Sequence, residues 1–151
     1  MDEHVSCILT QCSQRIYIIK QLRNQGMDLS QLQIVVQALI ISRILYALPA
    51  RGGFLSVELI NKIDIFLRRL KRYGYIECDY SITSMLHEAD YDLFCKTRNA
   101  SHCLHYLLPT PKISTSLRPR GHKYMLPLCT YQLHKQSFFV RCLFNFVSSS
   151  F

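Results

Sequence analysis

The sequence predicts a mainly α protein: a small bundle of three to four helices followed by a long irregular C-terminal tail. Three observations carry that expectation. Apolar residues recur at three- and four-residue spacing through the first half of the chain. Gly26, Pro49, Gly52, Gly53 and Gly74 punctuate those runs where helices would stop. From Lys112 the helical period disappears until about Ser137, in a stretch rich in Pro, Tyr, His and basic residues. The expected division is 1–75 as a three-helix region, 76–110 as a fourth helix and a turn, and 111–151 as the tail.

The first helix is expected from about His4 to Asn24. Val5, Ile8, Leu9, Cys12, Ile16, Ile19 and Leu22 form one apolar stripe, with Arg15, Lys20 and Arg23 off it. Gly26 ends it. The second runs from about Leu29 to Leu48, capped by Asp28 or Ser30. It is apolar nearly all round from Ile34, which predicts the most buried element, stopped by Pro49 with a turn at Gly52-Gly53. The third runs from about Val57 to Tyr73, with Ser56 as N-cap and Glu58 in the first turn. Leu59, Ile60, Ile63, Phe66, Leu67 and Leu70 make its inner face. Residues 75–80 suggest extended chain. A weaker fourth helix, about Ser84 to Arg98, places Met85, Leu86, Ala89, Leu93 and Phe94 inward, and His102 to Leu108 adds one turn.

The chain has 151 residues, and 18 Lys plus Arg against 10 Asp plus Glu give it a net charge of +8. An apolar fraction of 49% is too high for a disordered chain. Seven cysteines are too sparse for a disulfide scaffold. With an odd thiol count and an acidic, polar first stretch in place of a signal sequence, the expected setting is intracellular, cytoplasm or nucleus. Residues 34–50 are short for a membrane span and carry Gln37 and Arg43, so a core helix is expected and no membrane partner.

No catalytic constellation stands out. There is no Gly-rich phosphate loop, no nucleophile elbow and no zinc-protease helix, since His87-Glu88 is followed by Ala89-Asp90-Tyr91. Asp90 and Asp92 lie two apart on a helix and face different directions, which reads as a solvated face and not a metal pair. Cys95, His102, Cys103 and His105 cluster but lack paired zinc-ligand spacing. Neither a metal nor any other cofactor is expected.

The basic clusters carry the chemical signal. One is Arg68, Arg69, Lys71 and Arg72, beside Tyr73 and Tyr75; the other is Arg118, Arg120, His122 and Lys123, followed by Tyr124. Cations neutralise phosphates and neighbouring aromatic rings stack on unpaired bases. Charge alone supports nucleic-acid contact and a solubilising face equally.

Several stretches, in order, resemble the segment that follows the reverse-transcriptase palm in non-LTR (LINE-type, Jockey-like) retrotransposons. They are Gln14-Arg15-Ile16-Tyr17, Leu22-Arg23 with Gln25-Gly26-Met27, Ser42 to Ala50, and Leu67 to Arg72. Glu88-Ala89-Asp90, His102-Cys103-Leu104-His105, Leu117 to His122 and Arg141-Cys142-Leu143-Phe144 complete the series. The resemblance implies descent from an RNA-directed DNA polymerase and, because no Asp-Asp pair is present, no polymerase activity in this chain. It implies a thumb-like helical region and tail that support a template–primer duplex. Arg51 departs from the pattern, which usually has Trp there. Residues 4–45 are also similar to the N-terminal region of an AlkB-homologue tRNA-modifying dioxygenase, without its His-x-Asp iron motif.

The expected function is therefore non-catalytic binding of an RNA or DNA phosphate backbone by Arg68, Arg69, Lys71, Arg72, Arg118, Arg120 and Lys123. The alternative is a helical protein-interaction module whose partner is a polymerase palm or a second copy of itself.

Overall fold

The computed structural model of the chain describes residues 2–111 and 123–146. It is mainly helical, as expected. Helix α1 spans Asp2–Asn24; α2 spans Leu29–Val36 and passes into a π-helical turn at Gln37–Ile41, followed by α3 (Ser42–Leu45) and α4 (Leu48–Arg51). A 3-10 turn at Gly52–Phe54 leads to α5 (Val57–Arg72), then α6 (Ile82–Thr97) and a 3-10 turn at His105–Leu107. Helices α7 (Gln132–Gln136) and α8 (Phe138–Asn145) follow. The described residues hold no strand beyond one isolated antiparallel bridge between Pro111 and Tyr124.

The chain divides into two compact units, Met1–Leu48 with Leu55–Leu86, and Pro49–Phe54 with His87–Phe151. In the first unit, the α1 stripe packs as its spacing predicts: Val5, Ile8, Cys12, Ile16 and Ile19 are buried, and Leu9 and Leu22 border them. Leu32, Val36, Ile40, Ile41, Ile44 and Leu48 meet them from the second segment. Helix α5 adds Leu59, Ile63, Phe66, Leu67 and Leu70, and the start of α6 adds Ile82 and Met85. Caps fix the helix starts. The Asp28 side chain accepts from the Ser30 backbone N–H at 3.3 Å, and the Ser56 hydroxyl accepts from Leu59 N–H at 3.4 Å. Both α1 and α5 stop at a glycine with positive φ, Gly26 at 92° and Gly74 at 76°. After α5, Tyr75 N–H bonds back to the Leu70 carbonyl at 3.1 Å, six residues around the turn.

The second segment departs from expectation in two ways. It is not buried all round: Ile34 is 70% and Tyr46 74% exposed. With only Gln37, Ser42 and Arg43 to mark an outer face between Ile34 and Leu48, composition alone overstates its burial. Nor does Pro49 stop the helix. The break comes at Tyr46-Ala47, where Ala47 adopts φ 53°, and Pro49 lies inside the short helix α4. The stretch Leu29–Phe54 is long and apolar enough to cross a membrane by length and composition alone. Its π turn has a local reason. A π turn shifts carbonyls out of the α-helical ladder, and here the Arg15 guanidinium donates to the Leu39 carbonyl and the Ser42 hydroxyl to that of Ala38.

In the second unit the core is Phe94, Cys142, Leu143 and Phe146, bordered by Leu108, Tyr124, Leu126 and Phe138. The tail expected to be irregular is so from Lys123 to Thr130, but it ends in α7 and α8, whose Cys142 and Leu143 supply core side chains. Residues 112–122 and 147–151 lie outside the described residues.

Asp90 corrects the solvated-face reading. It is 2% exposed, on the inner side of α6. Arg141 Nε donates to its Oδ2 at 2.7 Å and Nη2 to its Oδ1 at 2.8 Å. The same guanidinium donates to the Gln136 carbonyl at 2.6 Å and the Pro49 carbonyl at 2.8 Å. Such a planar fork gives each oxygen of the buried carboxylate a charge-assisted donor. Gly53 lies so close to Arg141 and to the Gln136 carbonyl that a Cβ there would overlap both.

Candidate nucleic-acid interface

Helix α5 presents its basic residues because its apolar stripe is full. Leu67 and Leu70 turn inward, which leaves Arg68, Arg69 and Arg72 exposed. Positions 68 and 72 are one turn apart and 69 stands beside them, so the three guanidinium groups share one side of the last two turns. Lys71 stands apart from them. It is half-buried and forms an ion pair with Asp79. Arg68 Nε donates to the Asp64 carbonyl at 3.3 Å. No ion pair to Arg68, Arg69 or Arg72 occurs among the described residues.

The neighbouring carboxylate does not neutralise them either. Asp64 Oδ1 accepts from Ile82 N–H at 2.8 Å, so its charge faces the N-terminus of α6. The basic end of α5 also suits its own helix dipole, which stabilises it whatever else it does.

Two cations from α1 lie against the tyrosines that follow α5. Lys20 Nζ lies 4.8 Å from the centre of the Tyr73 ring. Arg23 Nη1 donates to the Tyr73 carbonyl at 3.2 Å, and its guanidinium carbon is 6.0 Å from the Tyr75 ring centre. The sequence shows Lys20 and Arg23 only as residues off an apolar stripe; nothing in their local pattern points to a site fifty residues on. The two tyrosines meet edge to face at 5.9 Å. Tyr75 is 2% exposed, so it belongs to the core and is closed to a base. Tyr73 is half-buried with a cation already near its ring. Tyr75 is therefore closed to the stacking expected of this pair, and the two rings lie against Lys20 and Arg23.

The second expected cluster is only partly described. Arg118, Arg120 and His122 lie outside the described residues. Lys123 is exposed at the base of the Pro111–Tyr124 bridge, in the second unit. Tyr124 is half-buried, edge-on to Phe94 at 6.4 Å.

Of the residues weighed as zinc ligands, the two histidines each use Nδ1 in a local hydrogen bond. His102 Nδ1 accepts from Leu104 N–H at 3.2 Å, and His105 Nδ1 donates to the Thr97 carbonyl at 3.0 Å. Among the described residues, no three His, Cys, Asp or Glu side chains group as metal ligands would. All seven cysteines are free thiols.

No family model, no curated protein and no solved structure matches this chain.

Proposed function

We propose that this chain is a non-catalytic nucleic-acid-binding module, of the kind that follows the palm in non-LTR retrotransposon reverse transcriptases. It holds the phosphate backbone of an RNA or DNA duplex in the cytoplasm or nucleus. The observation that supports this reading most is the ridge at the end of α5. Arg68, Arg69 and Arg72 share one exposed side, and Lys20 and Arg23 are held at Tyr73, just past the end of the same helix. Three arginines gathered on one side of a helix suit a phosphate backbone better than cations spread evenly over a surface would. Lys71 takes a smaller part because Asp79 already faces it.

The triple substitution Arg68→Ala, Arg69→Ala, Arg72→Ala should weaken duplex binding and flatten its dependence on salt. The slope of log affinity against log salt should fall by about 2–3, near one unit for each phosphate no longer neutralised. Lys71→Ala should change it by less. Unchanged affinity at low salt in the triple variant would sink the reading.

One observation favours the protein-interaction alternative. A shallow groove of about 590 Å³ along the second segment is lined by Ser30, Gln33, Ile34, Ala38 and Leu45. Ile34 stands 70% exposed there. On this reading the chain self-associates or docks on a palm through that face. Sedimentation at rising concentration should then show a larger species that Ile34→Glu abolishes without loss of helix content. A wild-type chain that stays monomeric at high concentration removes self-association.

A further inference from the structure

The second unit contains a cleft of about 710 Å³ that the ridge does not involve. Its wall, among the described residues, includes Arg98 just beyond α6, His105 and Tyr106 of the 3-10 turn, Pro111, and Lys123 with Tyr124. No Asp or Glu is among the described lining residues, so the field inside favours an anion. The volume is far above that of one phosphate ion and falls in the range of sites for small organic ligands.

The lining is ordered by contacts around it. His105 is oriented by its Nδ1–H bond to the Thr97 carbonyl, which leaves Nε2 as the nitrogen a ligand can use. Tyr124 is set by the bridge to Pro111 and by the ring of Phe94. Tyr106 is 78% exposed, an aromatic face offered to solvent at the cleft rather than consumed in the core. A planar ring lining the same cleft as two cations is the combination that stacks a base while its phosphate is neutralised.

We infer that this cleft receives one unpaired nucleotide of a single strand, its base on Tyr106 and its phosphate toward Arg98 and Lys123. A duplex keeps its bases inside the stack and cannot offer one to such a ring. The inference rests on the nucleic-acid reading above and adds to it a second site with a different preference: duplex on the α5 ridge, single strand in the cleft.

The test measures binding of the full chain to a labelled uridine strand of about twelve nucleotides and to an RNA–DNA hybrid of the same length. The salt is about 50 mM, where phosphate contacts are strong. Tyr106→Ala should weaken the single strand about tenfold, the scale of one base–aromatic stack, and leave the hybrid unchanged. Tyr106→Phe should restore single-strand binding. If wild type binds the strand and Tyr106→Ala binds it equally well, the cleft is not the site and only the ridge reading survives. If wild type binds neither probe, the nucleic-acid reading fails and the inference with it. If uridine monophosphate alone competes as strongly as the strand, the cleft takes a free nucleotide and the strand assignment is overturned.

Discussion

Replacing Asp90 by Ala should destabilise the second unit by about 3–5 kcal/mol, the cost of leaving one member of a buried ion pair alone. The reason is the position of Arg141. Its guanidinium contacts both Asp90 oxygens, the Gln136 carbonyl and the Pro49 carbonyl. Without the carboxylate, a half-buried cation keeps two carbonyl partners and loses its counter-charge. Arg141→Ala should cost a similar amount, because the carboxylate left behind is 2% exposed. Replacing both together by apolar residues of like volume should recover much of the loss, since neither charge is then stranded. Urea unfolding followed by far-UV circular dichroism measures this; the chain has no Trp to report by fluorescence.

Cys142 gives an independent readout of the same clasp. Burial pushes its thiol up, and the nearby Asp90 carboxylate raises it further, against a smaller opposing effect of Arg141. The native thiol should therefore resist alkylation while exposed Cys7, Cys78 and Cys103 react. The sign follows for stability. A thiol raised on folding holds its proton where an unfolded one loses it, so its contribution is complete below about pH 8.5 and declines as pH rises beyond that. In Asp90→Ala, Cys142 should become reactive. A loss of under about 1 kcal/mol with Cys142 still protected would mean that the pair behaves as an exposed one.

Why this clasp is not legible in the sequence, while much of the fold is, comes down to range. A stripe such as Val5, Ile8, Cys12, Ile16 and Ile19 is local: each residue predicts the next, and the structure buries all five. The inner face of α5 is read in the same way, and so are Ser56 as its cap and Gly26 as the end of α1. Asp90 has no such neighbours. On a helix an Asp is by default a solvated residue, and what reverses that is an Arg fifty-one positions later. The alliance of Lys20 and Arg23 with Tyr73 is equally distant in sequence. The outer face of the second segment fails for another reason. From Ile34 to Leu48 its few polar residues, Gln37, Ser42 and Arg43, are too sparse to outline a face, so Ile34 and Tyr46 could not be placed. The exposed arginines of α5 sit between these cases. Their exposure follows from the stripe they interrupt, whereas the separation of Lys71 from them depends on Asp79, which lies beyond the end of the helix.

Phe94→Ala should unfold the second unit at low denaturant while the first keeps its helices. Phe94 is fully buried, with its ring 5.7 Å from that of Phe146 and 6.4 Å from that of Tyr124. It connects α6, the end of α8 and the Pro111–Tyr124 bridge. Truncating a buried Phe costs about 3–5 kcal/mol, from lost transfer free energy and the cavity left behind. The second core has only Phe94, Cys142, Leu143 and Phe146 as its buried cluster among the described residues. Losing one of its two phenylalanine rings removes a far greater share than the same change would in the first unit, whose cluster draws on α1, the second segment, α5 and the start of α6. None of the residues in that larger cluster belongs to the second core. The expected trace is therefore biphasic, an early loss of part of the helix signal and a later transition at the wild-type midpoint of the first unit. A single transition shifted as a whole would instead mean that the two cores unfold as one cooperative body. The same variant separates the two proposed sites. It should abolish single-strand binding, because Tyr124 and the cleft wall lose their support, and leave duplex binding by Arg68, Arg69 and Arg72 in place.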